Sequence, residues 1–360
     1  MTNLFAPLSF TRGPDMKNRF MLAPLTNTQS HDDGRLSDEE FHWLTMRAKG
    51  GFGATMTCAA HVQAVGQGFP GQLGIFSDDH LEGLTRLATA IKAEGSVAVV
   101  QLHHAGMRSP ADLIGEKPHC PSDNEEFDAR AITTVEVEQL IEGFIIAAER
   151  AEKAGFDGVE LHGAHGYILC QFLSPGVNLR DDKYGGSLEN RARPLFDIID
   201  GIRARCGADF QLGVRLSPER FDVKLDEIVD VAQRLMRDDK IDYLDMSLWN
   251  VFKEPTDEAF KGRTLMSYFT ELDRGNVRLG VAGKVARPED AQRCLKEGCD
   301  FVLLGRAAIL THDFPNQLAE ASDFTPVVVP VSAQYLQEQG LSTRFVDYMR
   351  QWKGFVEAEG

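Results

Sequence analysis

Residues 160–167 read Glu-Leu-His-Gly-Ala-His-Gly-Tyr, so two imidazoles and a phenol stand on a glycine-lined turn directly after an apolar run at 156–161. Rings that donate hydrogen bonds suit an oxygen that gains negative charge, and a phenol, with an ordinary pKa of about 10, can deliver a proton. That combination suits reduction of a carbonyl-activated double bond better than hydrolysis. His162 and His165 are three apart, so a continuous strand would point them to opposite faces. Gly163 and Gly166 allow a tight turn that brings both rings to one side. A metal site is the alternative, because Glu160 alternates with His162 and because His103 and His104 end a neighbouring strand. Neither an H-E-x-x-H nor an H-x-H pattern supports it.

The elements that must position these groups are eight short apolar runs at 20–25, 54–62, 97–102, 158–161, 210–216, 243–248, 277–281 and 301–304. Segments with helical spacing separate them: Ser77-Asp78-Asp79 caps one, and Thr134 opens another that runs through Val137, Leu140, Ile141, Phe144 and Ala148. Gly95, Gly155 and Gly298 stand where helix C-caps lead into the next strand. Strands alternating with helices predict parallel strands joined by crossovers, and eight such units fit a closed (β/α)8 TIM barrel. No G-x-G-x-x-G follows the first strand, which weakens a doubly wound dinucleotide fold. Residues 4–20, with a turn at 12–15, read as an N-terminal β-hairpin plugging the barrel bottom. The chain reads as one domain over 1–360, with 321–360 a tail that packs on the barrel or reaches a neighbouring subunit of a homo-oligomer. The long polar stretch 108–133 reads as a lid or binding loop.

Active sites of such barrels lie at the C-terminal strand ends. These ends offer Pro24-Leu25-Thr26, Ala59, Gln101, His162, His165, Tyr167, Arg215, Trp249-Asn250, Gly283 and Gly305-Arg306. Carboxylates are scarce there, so glycoside hydrolysis is poorly served, whereas a planar, polar, anionic cofactor is well served. Gly283 and Gly305-Arg306 end the last two strands, where backbone amides and a guanidinium suit a phosphate. Gln101 and Arg215 suit the pyrimidine edge of a flavin, and Thr26 could offer a hydroxyl to the same rings.

A formal charge of -16, with no basic block, argues against a nucleic-acid partner. No apolar run approaches ~20 residues, so no membrane partner is expected. The N-terminus lacks the basic and apolar regions of an export signal, which predicts a cytoplasmic protein with reduced, mostly buried thiols.

These residues resemble the old yellow enzyme family of FMN-dependent NAD(P)H oxidoreductases, or ene-reductases. The resemblance runs from Leu4 to Phe314. It rests on Asn18-Arg19 through Thr26, on residues 101–106 and 162–167, on Gln171-Phe172-Leu173-Ser174-Pro175 and on Gly305-Arg306. It also rests on Asn178, Arg180 and Asp182 and on the run Tyr184 to Arg191. By resemblance, Pro24, Thr26, Ala59, Gln101, Arg215, Gly283, Gly305 and Arg306 would hold FMN. His162 and His165 would bind the substrate's carbonyl oxygen, and Tyr167 would protonate the carbon alpha to it. The hydride donor would be NADH or NADPH and the substrate a small electron-poor alkene. A flavin reductase acting on quinones or nitro compounds is the alternative within the class, and a metal-dependent barrel hydrolase the one outside it. The Tyr184–Arg191 stretch is expected to fix a loop. One bacterial branch of the family carries a cysteine in place of Thr26 and an aromatic residue in place of Thr28, so potential and substrate shape are expected to differ from that branch. Long relatives add an iron–sulfur segment and a second nucleotide domain. This chain reaches Gly360 without either, so its electrons should come directly from a nicotinamide.

Overall fold

Eight parallel strands close into a barrel in which each strand pairs with its sequence neighbours and the last pairs with the first. The computed structural model describes residues 3–321 and 324–358. The strands are β1 (Phe20–Leu22), β2 (Ala54–His61), β3 (Val97–His103) and β4 (Gly158–Gly163). They continue with β5 (Gln211–Leu216), β6 (Tyr243–Ser247), β7 (Arg278–Ala282) and β8 (Phe301–Leu304). The helices after successive strands are α1 (Asp38–Lys49), α2 (Leu81–Ala93), α3 (Thr134–Lys153) and α4 (Leu188–Arg205). They are followed by α5 (Leu225–Arg237), the single turn α6 (Ser267–Thr270), α7 (Pro288–Lys296) and α8 (Phe314–Glu320). The predicted TIM barrel is therefore the observed fold.

Alternation along the strands sorts the core into two faces. Val159, Leu161, Val214, Leu244, Val281 and Val302 join the cluster under the helices. Met21, Ala54, Met56, Val99, Tyr243, Phe301 and Leu303 fill the barrel interior instead. Gly95, Gly155 and Gly298 take positive φ just past α2, α3 and α7, as the C-cap reading predicts. The cap of α3 is one residue earlier than expected. Thr133 accepts from the amide of Glu136 while the Glu136 carboxylate accepts from that of Thr133.

The N-terminal plug exists, but its pairing shrinks to one antiparallel bridge between Leu8 and Met16. Leu8 and Met16 complete the interior cluster, and Phe10 packs edge-on to Tyr243 and Phe301 at 6.0 and 6.5 Å. The turn is pinned from the start of β5: Gln211 Nε2 donates to the carbonyls of Arg12 and Pro14, both at 2.8 Å.

Residues 109–133 do not line the opening above the strand ends. The loop folds into a two-residue parallel pairing, His119–Cys120 with Arg130–Ala131, and is tied to the segment after β4. There, Arg180 donates to the carbonyls of Pro121 and Ile132 and pairs with Asp182 at 2.6 Å. Asn178 bridges the carbonyls of Phe172 and Tyr184, and Arg191 donates to those of Gly186 and Leu173. The polar run from Asn178 to Arg191 thus fixes a loop, through side chains that satisfy backbone carbonyls.

In the tail, α9 (Ala333–Glu338) reaches the segment after β8, where Tyr335 Oη donates to the carbonyl of Leu310 at 2.6 Å, and α10 (Thr343–Arg350) lies against α1 and the loop before it. Phe345 meets Trp43 edge-on at 5.5 Å, and the amide of Ser342 donates to Gln29 at 3.0 Å.

Gly13 sits at φ +70, and a Cβ there would come within 2.6 Å of Gln211 Cγ. Gly13→Ala should therefore destabilise the fold by more than about 1 kcal/mol, read as a lower urea midpoint at unchanged slope. An unchanged midpoint would show that the plug adds nothing to stability.

Candidate active site

Strand register decides which side chains meet at the top of the barrel. Ala59 aligns with Gln101 and Gln101 with Glu160, while His162 aligns with Arg215 and Arg215 with Asp245. Above these rungs opens a cleft of ≈ 720 Å³, counting the space open to solvent. Pro24, Thr26, Ala59, Gln101, His162, His165, Tyr167 and Arg306 all line it, so most of the residues singled out from sequence converge. Arg215 lies beneath, 5% exposed. Gly283 and Gly305 lie at the adjoining ends of β7 and β8 and present only backbone. Gly283 needs to be glycine: at φ +147 a Cβ would fall 2.8 Å from the backbone of Trp249 and Asn250.

The turn after β4 works as its glycines suggest, with one addition. His165 itself takes φ +59, and the rings of His162 and His165 end 5.0 Å apart, edge to face. Tyr167 stands 5.0 Å from His162, and the Arg108 guanidinium lies 5.1 Å over the phenol ring. Arg108 also donates to the carbonyl of His165 at 2.6 Å, so the one loop residue that does reach the site braces its turn. Burial, reinforced by neighbouring cationic groups, holds both imidazoles well below the usual histidine pKa, and burial raises the Tyr167 phenol. At neutral pH the cluster is therefore two neutral rings and one protonated phenol. The Ala164 amide donates to His162 Nδ1 at 3.3 Å, which leaves the proton on Nε2. His165 Nε2 lies 2.7 Å from Ser247 Oγ, which also receives a long contact, 3.5 Å, from Arg215.

Below the cleft runs a charged layer. Arg215 Nε stands 3.0 Å from Asp245, and Gln101 Nε2 donates to Glu160 at 2.7 Å. Glu160, Asp245 and Arg215 are all buried. Burial, with Asp245 adding like charge, raises the Glu160 carboxyl above the ordinary carboxylate range, and burial raises Asp245. One guanidinium cannot offset two buried carboxylates, so Glu160 keeps its proton more readily than an exposed glutamate.

Sequence reading missed several residues of the cleft: Phe69, Ile309, Tyr348, Met349 and Trp352. Three of these belong to α10 and the turn after it. The amphipathic pattern of that tail signalled packing, but nothing local signalled where. His103 and His104 do not combine with Glu160 and His162 as the metal alternative requires. His104 faces a separate cavity beside Glu116, His119 and Arg130. Among the described residues no three His, Cys, Asp or Glu side chains converge as a metal-binding group.

A family model described as the NADH:flavin oxidoreductase / NADH oxidase family matches residues 3–323. The chain belongs to that family. The probable NADH-dependent flavin oxidoreductase YqiG of Bacillus subtilis is 35% identical over 331 residues, covering 89% of this chain and 88% of that protein. NADH:acrylate oxidoreductase of Vibrio harveyi is 33% identical over 335 residues, which are 88% of this chain but 33% of that longer protein. The solved structure of the old yellow enzyme homologue from Zymomonas mobilis superposes with a TM-score of 0.80 at 27% identity. The match covers 96% of this chain and 99% of that one. This flavin oxidoreductase thus has FMN as cofactor and NADH or NADPH as electron donor.

Because Glu160 binds its proton more tightly folded than unfolded, the stability it contributes is fully present below the ordinary carboxylate pKa of 4.5 and is lost as pH rises through its folded value of about 8. Glu160→Gln, neutral throughout, should flatten that decline in urea midpoints measured across the range. Equal slopes in both proteins would show that Glu160 ionises freely.

Proposed function

We propose that this flavin oxidoreductase reduces the C=C bond of α,β-unsaturated carbonyl compounds. His162 and His165 bind the carbonyl oxygen, and Tyr167 protonates the alpha carbon. The observation that carries the reading is the convergence of two neutral imidazoles and a protonated phenol on one cleft with Thr26 and Gln101. The name of the Vibrio harveyi relative, an acrylate oxidoreductase, denotes a C=C acceptor for that protein and agrees with it.

The residues present fit a flavin mononucleotide. Small Ala59 and Pro24 leave the cleft broad, while Gln101 and, just beneath, the buried Arg215 guanidinium supply donors suited to a polar ring edge. The exposed Arg306 side chain and the backbone at Gly283 and Gly305 offer a phosphate charge and amides. When bound, FMN supplies the two-electron carrier between NADH or NADPH and the acceptor.

The chain's own groups then handle charge and one proton. As hydride reaches the beta carbon, negative charge gathers on the carbonyl oxygen, where two imidazole N–H groups stabilise it. Donors of this kind are worth ~10²–10³ in rate each. Neutral rings serve this role without giving up a proton to the oxygen. Tyr167 gives its phenolic proton to the alpha carbon, and water restores it afterwards.

Tyr167→Phe should leave reduction of the flavin by NAD(P)H intact, because that step needs no proton donor. Alkene reduction should slow by roughly 10²–10⁴-fold, the usual contribution of a positioned general acid. Stopped-flow traces of the two half-reactions decide the matter. Equal slowing of both would point to disturbed cofactor geometry, and no slowing of either would remove Tyr167 from the mechanism.

A further inference from the structure

We infer that His103 is a positioning residue for Tyr167: its Nε2–H is a fixed donor packed against the phenol, and it holds the phenolate left when the proton departs. The inference rests on the reading of Tyr167 as proton donor.

A chain of hydrogen bonds fixes which nitrogen of His103 carries its hydrogen. Gln72 is fully buried, its Oε1 accepts from the amide of Gly68 at 2.6 Å, and its Nε2 donates to the carbonyl of Ala59 at 2.8 Å. Those partners set the orientation of the Gln72 amide. The same Nε2 lies 3.0 Å from His103 Nδ1. A nitrogen facing an N–H donor must accept, so the proton of neutral His103 resides on Nε2. His103 is 1% exposed, and among the described residues its Nε2 has no hydrogen-bond partner. A buried donor without an acceptor is costly and calls for an explanation at a functional site.

The ring nearest to it provides one. His103 and Tyr167 pack edge to face with centroids 4.4 Å apart, closer than His103 is to His162, at 5.4 Å. His162 and His165 border the cleft, whereas His103 does not. It therefore packs against Tyr167 without itself lining the cleft. Burial, with the neighbouring His162, keeps it neutral, so it acts as an N–H dipole and not as an acid. In the step itself, the Tyr167 O–H bond breaks and a C–H bond forms at the alpha carbon. The phenolate accepts the His103 Nε2–H and lies under the Arg108 guanidinium until water returns a proton. His103 keeps its own proton throughout.

The test uses the FMN-loaded enzyme and a simple cyclic enone. His103→Leu removes the donor at similar volume; His103→Gln restores an N–H near the position of Nε2. In His103→Leu the alkene half-reaction should slow about 10- to 100-fold, the worth of one hydrogen bond to a charged group. Its alkaline limb should move to higher pH, because the phenolate has lost a donor. Flavin content and flavin reduction by NAD(P)H should stay at wild-type values, and His103→Gln should recover most of the rate. In a Tyr167→Phe background His103→Leu should add nothing. Wild-type rates in His103→Leu, or an equal further loss in the Tyr167→Phe background, would overturn the inference while leaving Tyr167 in place. A full rate in Tyr167→Phe alone would overturn the underlying reading, and this one with it.

Discussion

Inside the barrel, one guanidinium serves two buried carboxylates. Arg215 pairs with Asp245, and Glu160, on the neighbouring strand, must share the same low-polarity layer. Charges taken out of water are costly unless matched, and breaking such a set by removing one member is costlier still. The layer is therefore rigid in position as well as in charge. Glu160 orients Gln101, and Arg215 reaches Ser247, which in turn contacts His165. Gln101 directly, and His165 through Ser247, are thus held from below by this layer.

The barrel's chemistry is divided by height. Its lower interior is apolar, sealed by Leu8, Phe10 and Met16, and carries the packing that stabilises the chain. Its upper rim holds backbone conformations that L-residues avoid. Thr28, His165, Trp249 and Lys284 have φ between +55 and +61 in the loops after β1, β4, β6 and β7. Strain of this kind, on the order of 1 kcal/mol or more per residue, persists only where surrounding structure over-determines it. Here it is concentrated on the face that holds the histidine cluster, and the apolar floor offsets it.

How much of this was legible follows from the range of each interaction. Strands and helices follow from local periodicity, so eight strand–helix units could be read from the chain, with errors such as one residue at the cap of α3. The turn at 163–166 could be read because two glycines sit beside the histidines. The loop at 108–133 could not: its polar composition suits a lid, but Arg180, some fifty residues later, ties its backbone to the segment after β4. The wall formed by Tyr348, Met349 and Trp352 was equally hidden, because Phe345 must first find Trp43 on α1. His103 shows the same limit at the level of one proton. Its inward direction follows from strand alternation, while its tautomer depends on Gln72, 31 residues away.

We propose that the charged layer and the rim above it form one site at which flavin receives electrons from a nicotinamide. The most direct measurement is the visible absorbance spectrum of the purified protein before and after NADH or NADPH is added without oxygen. Flavin bands should bleach on addition and return when an electron-poor alkene is supplied. A protein that takes up no FMN, or whose flavin bands persist with both nicotinamides, would contradict this proposal.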